Sequence, residues 1–255
     1  MTKIIAIIQT GQPVKSALEN YGDFDAWFIK AMDIDKSHTK TYHVYDKLEF
    51  PEIENIAGLI ITGSPAMLTQ ELDWSEKTIH WLKQFLEMEI PVLGVCYGHQ
   101  QLAKLLGGTV DWNPNGRQMG QVDMQISSEA HQDHLFASLI EPPLQAQSNT
   151  LKFLATHQQA VIDLPGHITV LGTTKLDPYH CFRYKNHIWG LQFHPEFTAN
   201  ISKDYIHART ADLVKEGLNP LQMINDIENL ENGKHLLQRF KDLCFHEKFT
   251  TFQRV

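Results

Sequence analysis

Residues 91–108 read PVLGVCYGHQQLAKLLGG. Pro91–Val95 is a short apolar run of strand type, and Gly98–Leu106 carries helical spacing that stops at Gly107-Gly108. Between them, Gly94-Val95-Cys96-Tyr97-Gly98 places a nucleophile between two glycines, the pattern of a strand-to-helix elbow. Such a turn forces its central residue into a sparsely allowed backbone conformation. Larger side chains two residues to either side would clash. The elbow presents the thiol off the carboxyl end of its strand, where open α/β sheets carry their sites. It also puts the sulfur at a helix N-terminus, whose partial positive charge favours thiolate. A buried inert cysteine would need neither glycine.

Working outward, strand-like and helix-like segments alternate. Lys3–Ile8 (KIIAII) is a β-branched run expected of a strand covered on both faces. Val14–Met32 has helical spacing through Leu18, Phe24, Trp27 and Phe28, with Gly22 within it. Tyr42–Tyr45 and Ile56–Thr62 read as strands, the latter stopped by Gly63-Ser64-Pro65, and Ser75–Met88 as a helix. Strands alternating with helices imply a parallel sheet with right-handed crossovers. Beyond residue 120 the pattern changes. Gln121–Ile126, Leu151–Leu154, Ile168–Thr173, His180–Tyr184 and Ile188–Phe193 are short strand-like runs, expected to be mixed or antiparallel. Helical spacing returns over Ile201–Glu216, Leu221–Leu230 and Gly233–Phe245. The expected organisation is a domain over residues 1–200 and a helical C-terminal extension over 201–255, packed on that domain.

The 255 residues suit one large domain or a domain with an appendage, and 42% hydrophobic residues suffice for a substantial core. A formal net charge of −8 argues against a nucleic-acid-binding surface. Cys96, Cys181 and Cys244 are an odd number, far apart and without a CxxC pair, so neither a disulfide framework nor a zinc site is expected. The fourteen histidines form no tight ligand run. The N-terminus lacks the pattern of a signal peptide, and no stretch approaches the ~18 apolar residues that span a bilayer. These features lead to the expectation of a cytoplasmic protein.

A thiolate nucleophile needs a base, and the base needs an orienting group. Residues 189–197, WGLQFHPEF, end a strand-like run with His194 and Glu196. Two residues apart in extended chain, the two side chains lie on the same side, and Pro195 stiffens the link. Glu196 can then accept from the imidazole and fix its tautomer. Together with the elbow, the pair points to a Cys96–His194–Glu196 triad.

The segments GVCYGHQQLA and GLQFHPEF resemble the two signature segments of the class I glutamine amidotransferase family, which includes the amidotransferase domain of GMP synthase and its free-standing homologues. The resemblance covers residues 1–200. It implies an open, mostly parallel sheet flanked by helices, flavodoxin-like, with a small mixed or antiparallel region. It also implies that Cys96 attacks the side-chain amide of glutamine, that His194 carries the proton to the leaving ammonia, and that a glutamyl thioester forms. The oxyanion would be met by the N–H of Tyr97 and by that of Ser64 in the turn IITGSPAML. There Gly63 matches the family's first glycine and Ser64 replaces its second. Gln100 matches the glutamine of the elbow helix and is expected to bind the amino-acid end of the substrate. His157 and Gln158, in FLATHQQAV, loosely resemble a segment that contributes substrate contacts, and Gln159 stands near the place of its usual acidic residue. Neither a metal nor an organic cofactor is implied.

Residues 201–255 contain no phosphate-binding glycine loop and nothing like a synthetase. Three activities remain open. One is a free-standing glutaminase that feeds ammonia to a separate synthetase subunit. Another is a γ-glutamyl peptidase or hydrolase acting on glutathione-like γ-glutamyl amides. The third is a regulatory or binding module without turnover, against which the intact triad weighs. Neither nucleic acid nor a membrane is expected as a partner.

Overall fold

The computed structural model describes residues 3–140 and 149–246; residues 247–255 of the expected C-terminal extension lie outside the described part. In chain order the elements are β1 (Ile4–Gln9), α1 (Lys15–Tyr21), α2 (Phe24–Met32), β2 (Thr39–His43), β3 (Ile56–Ile61), α3 (Asp73–Leu82), β4 (Val92–Val95), α4 (Tyr97–Leu105), β5 (Thr109–Trp112), β6 (Gln118–Ile126) and α5 (Ala137–Ile140). They continue with β7 (Thr150–His157), β8 (Gln159–Asp163), β9 (Thr169–Thr173), β10 (Cys181–Tyr184), β11 (Ile188–Leu191), α6 (Ala199–Ala208), α7 (Thr210–Lys215), α8 (Pro220–Asn225) and α9 (Asn232–Phe245).

Nine strands form one sheet in the order β2-β1-β3-β4-β11-β10-β9-β6-β7. From β2 to β11 the neighbours are parallel, and from β11 to β7 they are antiparallel. The parallel strands β3 and β4 are buried at every residue, as their unbroken apolar runs require when helices cover both faces. In β6 exposure alternates from Val122 to Ile126, the mark of a strand with one solvated face. β5 and β8 pair as a separate antiparallel ribbon.

One face of the sheet packs Ile5, Ile7, Leu93 and Val95 against α2 and α9. On α9, Leu236, Leu237, Phe240 and Leu243 are buried, each worth about 1.5–3 kcal/mol against exposure. The other face packs Ile8, Leu59, Ile61 and Val92 with Leu82, Phe85, Leu102 and Ala103 from the α3 and α4 region.

Several boundaries differ from the sequence expectation. The stretch 14–32 is two helices. Gly22 at φ 84° ends the first, and the Asp23 carboxylate accepts from the Phe24 N–H to start the second. The second strand is Thr39–His43 rather than Tyr42–Tyr45. The helix expected over 201–216 is α6 and α7, broken at Arg209. Among the described residues, no helix is long and apolar enough to cross a membrane.

Candidate active site

Three parallel strands end at one edge of the sheet: β3 runs into Gly63-Ser64, β4 into Cys96, and β11 toward His194 and Glu196. This is the carboxyl edge at which open α/β sheets place ligands. Cys96 sits between β4 and α4 at φ 51°, ψ −97°, an uncommon conformation for a residue with a side chain. The flanking glycines are steric necessities. A Cβ on Gly94 would lie 2.5 Å from the Gly98 carbonyl oxygen, and one on Gly98 would lie 2.5 Å from that of Ile61.

The imidazole of His194 is buried, and its Nδ1 lies 2.7 Å from Oε1 of Glu196. The His194 backbone N–H donates to Leu154 on β7 at 2.8 Å, tying the segment to the antiparallel half. Nε2 of His194 has no partner among the described residues. Gly63 lies beside both His194 and Cys96. A Cβ there would be 2.9 Å from His194 Cε1, 3.7 Å from its Nε2 and 3.6 Å from Cys96 Cβ. The thiol of Cys96 donates to the Thr156 carbonyl at 3.6 Å. Burial alone would push the imidazole down, but the Glu196 carboxylate and the neighbouring Cys96 hold it up, at about 10. Nδ1–H is therefore a donor to Glu196, and Nε2 is the ring nitrogen without a partner among the described residues.

Cys96 and His194 open into a cleft of about 300 Å³ whose lining includes Ser64, Tyr97, Gln100, His157 and Gln158. The backbone N–H groups of Ser64 and Tyr97 have no acceptor among the described residues, as expected of a helix start and a strand-ending turn. The Ser64 hydroxyl donates to the Thr10 carbonyl at 2.7 Å and accepts from the Ala66 N–H at 3.1 Å, fixing the turn. Gln100 donates through Nε2 to the Gln159 carbonyl at 2.9 Å and to Gln192 Oε1 at 3.1 Å.

His157 reaches the cleft, but its ring is held by the protein: Nδ1–H donates to the Gln159 carbonyl at 2.9 Å, and Nε2 lies 3.0 Å from the Gln118 side-chain amide. Burial pushes it down to about 4, so it is neutral at physiological pH and offers no charge to a ligand. Gln159 turns away to hold the 68–69 backbone, its Oε1 accepting from the Leu68 N–H at 2.8 Å. Gly63 lies behind the cleft wall, where its lack of a side chain gives room to His194.

Sequence reasoning missed the outer wall. Arg117, Tyr205, Arg209 and Asp212 also line the cleft. Arg117 is committed to Glu216 by two hydrogen bonds of 2.7 and 2.8 Å. The half-buried Arg209 makes no ion pair among the described residues. No motif marks these positions; Tyr205 lies on α6, Arg209 at the turn into α7 and Asp212 on α7, while Arg117 immediately precedes β6.

One group has metal-ligand character: His157, Asp177 and His180, whose ligand atoms lie within 4.8 Å of one another. Asp177 already accepts from His180 Nδ1 at 3.1 Å and from the Tyr179 N–H at 3.0 Å. His180 Nε2 is buried without a partner among the described residues.

The sequence model of the family described as glutamine amidotransferase class-I matches residues 17–212. The chain belongs to the class I glutamine amidotransferase family. A GMP synthase (glutamine-hydrolyzing) of Wigglesworthia glossinidia brevipalpis is 28% identical over 72% of this chain, which spans only 35% of that protein. Gamma-glutamyl peptidase 4 of Arabidopsis thaliana is 27% identical over 74% of each chain. A glutamine amidotransferase structure from Thermotoga maritima superposes with a TM-score of 0.70, covering 95% of this chain and 99% of that one at 21% identity. The family's open sheet flanked by helices is thus the fold of this amidotransferase-family chain.

Proposed function

We propose that this chain hydrolyses γ-glutamyl amides by thiol catalysis, with free glutamine as the smallest substrate. The observation that carries the reading is the conjunction at the sheet edge: a strained elbow cysteine beside an imidazole that is fixed by Glu196 at 2.7 Å and has an unpartnered Nε2.

In this account the Cys96 sulfur turns from Thr156 toward the substrate carbonyl as a thiolate, its proton held on His194 as the imidazolium. Sulfur attacks the γ-carbon, and the carbonyl π electrons move onto oxygen. The N–H groups of Ser64 and Tyr97 meet that oxyanion, a role typically worth ~10²–10³ in rate per donor. Collapse breaks the C–N bond as the imidazolium protonates the leaving nitrogen. Water then gives a proton to Nε2 and attacks the thioester, and breaking the C–S bond releases the glutamyl product as its free acid and restores the thiolate beside the imidazolium. Glu196 keeps Nδ1 as the protonated nitrogen throughout.

The charged outer wall favours a leaving amine larger than ammonia. Arg209 and Asp212 line the cleft along with Cys96 and His194, offering groups of both signs that ammonia release does not use. The gamma-glutamyl peptidase relative is consistent with this reading, whereas the GMP synthase relative suggests delivery of ammonia to a separate synthetase partner. A substrate panel decides. Ammonia release from glutamine and amine release from γ-glutamyl peptides are measured side by side, and γ-glutamyl peptides are expected to have the higher kcat/KM. A preference for glutamine assigns the glutaminase role. No product from either, with the protein folded, refutes catalysis.

A further inference from the structure

A single hydrogen bond fixes a point on a ring and leaves its plane free to swing. Glu196 holds His194 only at Nδ1. The plane is held by Phe197, whose ring stacks on the imidazole at a centroid separation of 4.1 Å and an interplanar angle of 23°. Phe197 is itself clamped. Trp27 of α2 meets it edge-on at 5.7 Å and 80°, and Tyr205 of α6 packs at 5.0 Å. Trp27 is fixed in turn by its indole N–H, which donates to the Tyr21 carbonyl at 2.9 Å. Phe197 is 6% exposed, so this side of the imidazole is largely shielded from water.

We infer that Phe197 is a positioning residue for His194, fixing the plane of the imidazole and stabilising its protonated form through the electron-rich face of the phenyl ring. The inference rests on the proposed function for its catalytic meaning, since His194 carries a positive charge in both halves of that reaction. An aromatic face attracts a cation, and the attraction grows where water is excluded. The other titratable groups whose fields bear on this corner are Glu196 and Cys96 beside the ring, His157 across the cleft and Tyr205 behind Phe197. Glu196 and Cys96 are common to every variant below, so differences between variants report the ring.

The test is the pH dependence of Cys96 alkylation by iodoacetamide, read by mass spectrometry of the Cys96 peptide. Alkylation needs no γ-glutamyl substrate, so it stands whether or not the hydrolytic reading survives. Phe197→Leu removes the π face and Phe197→Tyr keeps it. In Phe197→Leu the inflection that follows His194 deprotonation should move to lower pH by about one pH unit. With a substrate in hand, kcat should fall about tenfold while KM stays within about threefold. Phe197→Tyr should match the parent in both. An inflection unmoved in folded Phe197→Leu overturns the proposal. If that variant does not fold, pentafluorophenylalanine at position 197 keeps the shape and reverses the charge of the ring face. A lowered inflection then supports the proposal, and an unchanged one overturns it.

Discussion

Gly63 and His194 are in contact because Gly63 has no side chain: a Cβ there would sit 2.9 Å from Cε1 of the imidazole. The turn after β3 thereby sets how near the His194 imidazole can come to the cysteine after β4. Gly63→Ala should displace the imidazole by a few tenths of an ångström, enough to cost about tenfold in kcat. Thermal unfolding should change much less than activity. A variant with parental kcat would show that the ring has room to spare.

Glu196→Gln keeps shape but lets the side-chain amide favour the wrong tautomer of His194. The expected loss is about 10³-fold in kcat. The imidazole is held up at about 10 with help from the Glu196 carboxylate, so the variant should also deprotonate at lower pH, readable by histidine NMR. Parental kcat in Glu196→Gln would remove Glu196 from the triad.

The elbow holds Cys96 in backbone strain at φ 51°. Glycine tolerates that conformation, so Cys96→Gly should be more stable than Cys96→Ala by about 1 kcal/mol, measured by denaturant titration. Both should be inactive. Equal stability would mean that the elbow is relaxed.

Arg209 lines the cleft without an ion pair among the described residues, so a substrate carboxylate is its natural complement. Arg209→Gln should raise KM about tenfold, equivalent to roughly 1.4 kcal/mol, with kcat nearly unchanged. An unchanged KM for all γ-glutamyl substrates would place the carboxylate elsewhere.

Acid should weaken the fold through two buried histidines. Burial pushes His99 down to about 3 and His157 down to about 4, whereas an unfolded histidine titrates near 6.5. Between those limits the unfolded chain binds more protons than the folded one. The contribution of the two neutral rings is therefore complete above pH ~6.5 and is lost as pH falls toward 4. Denaturant unfolding at pH 5 should give a free energy lower by about 2–4 kcal/mol than at pH 7.5. A flat profile, or one that rises toward acid, would contradict the assignment of both rings as neutral.

The elbow and the HPE segment are legible in the sequence because their chemistry is local. Glycine spacing announces the close approaches of Gly94 and Gly98, and a two-residue separation puts His194 and Glu196 on one side. The parallel strands are legible because burial on both faces leaves only apolar residues in them. What escapes is set by tertiary packing. The ribbon of β5 and β8 mixes exposed and buried residues without clean alternation, and its register shifts at Thr109/Val110. The break between α6 and α7 at Arg209 carries neither glycine nor proline. Arg209, Tyr205 and Phe197 gain their relation to the cleft only when the C-terminal helices fold back over the sheet edge. His157 was legible as a residue of the site, but its engagement by Gln118 and Gln159 depends on pairing between β6 and β7.

The central claim is that the sulfur of Cys96 forms a covalent γ-glutamyl thioester. Acid quenching during turnover of a γ-glutamyl amide, followed by peptide mass spectrometry, tests it directly. The account predicts a mass increase of one glutamyl group on the peptide that carries Cys96, and neither adduct nor turnover in Cys96→Ala. Continued turnover by Cys96→Ala, or an adduct on Cys181 or Cys244 instead, would contradict it.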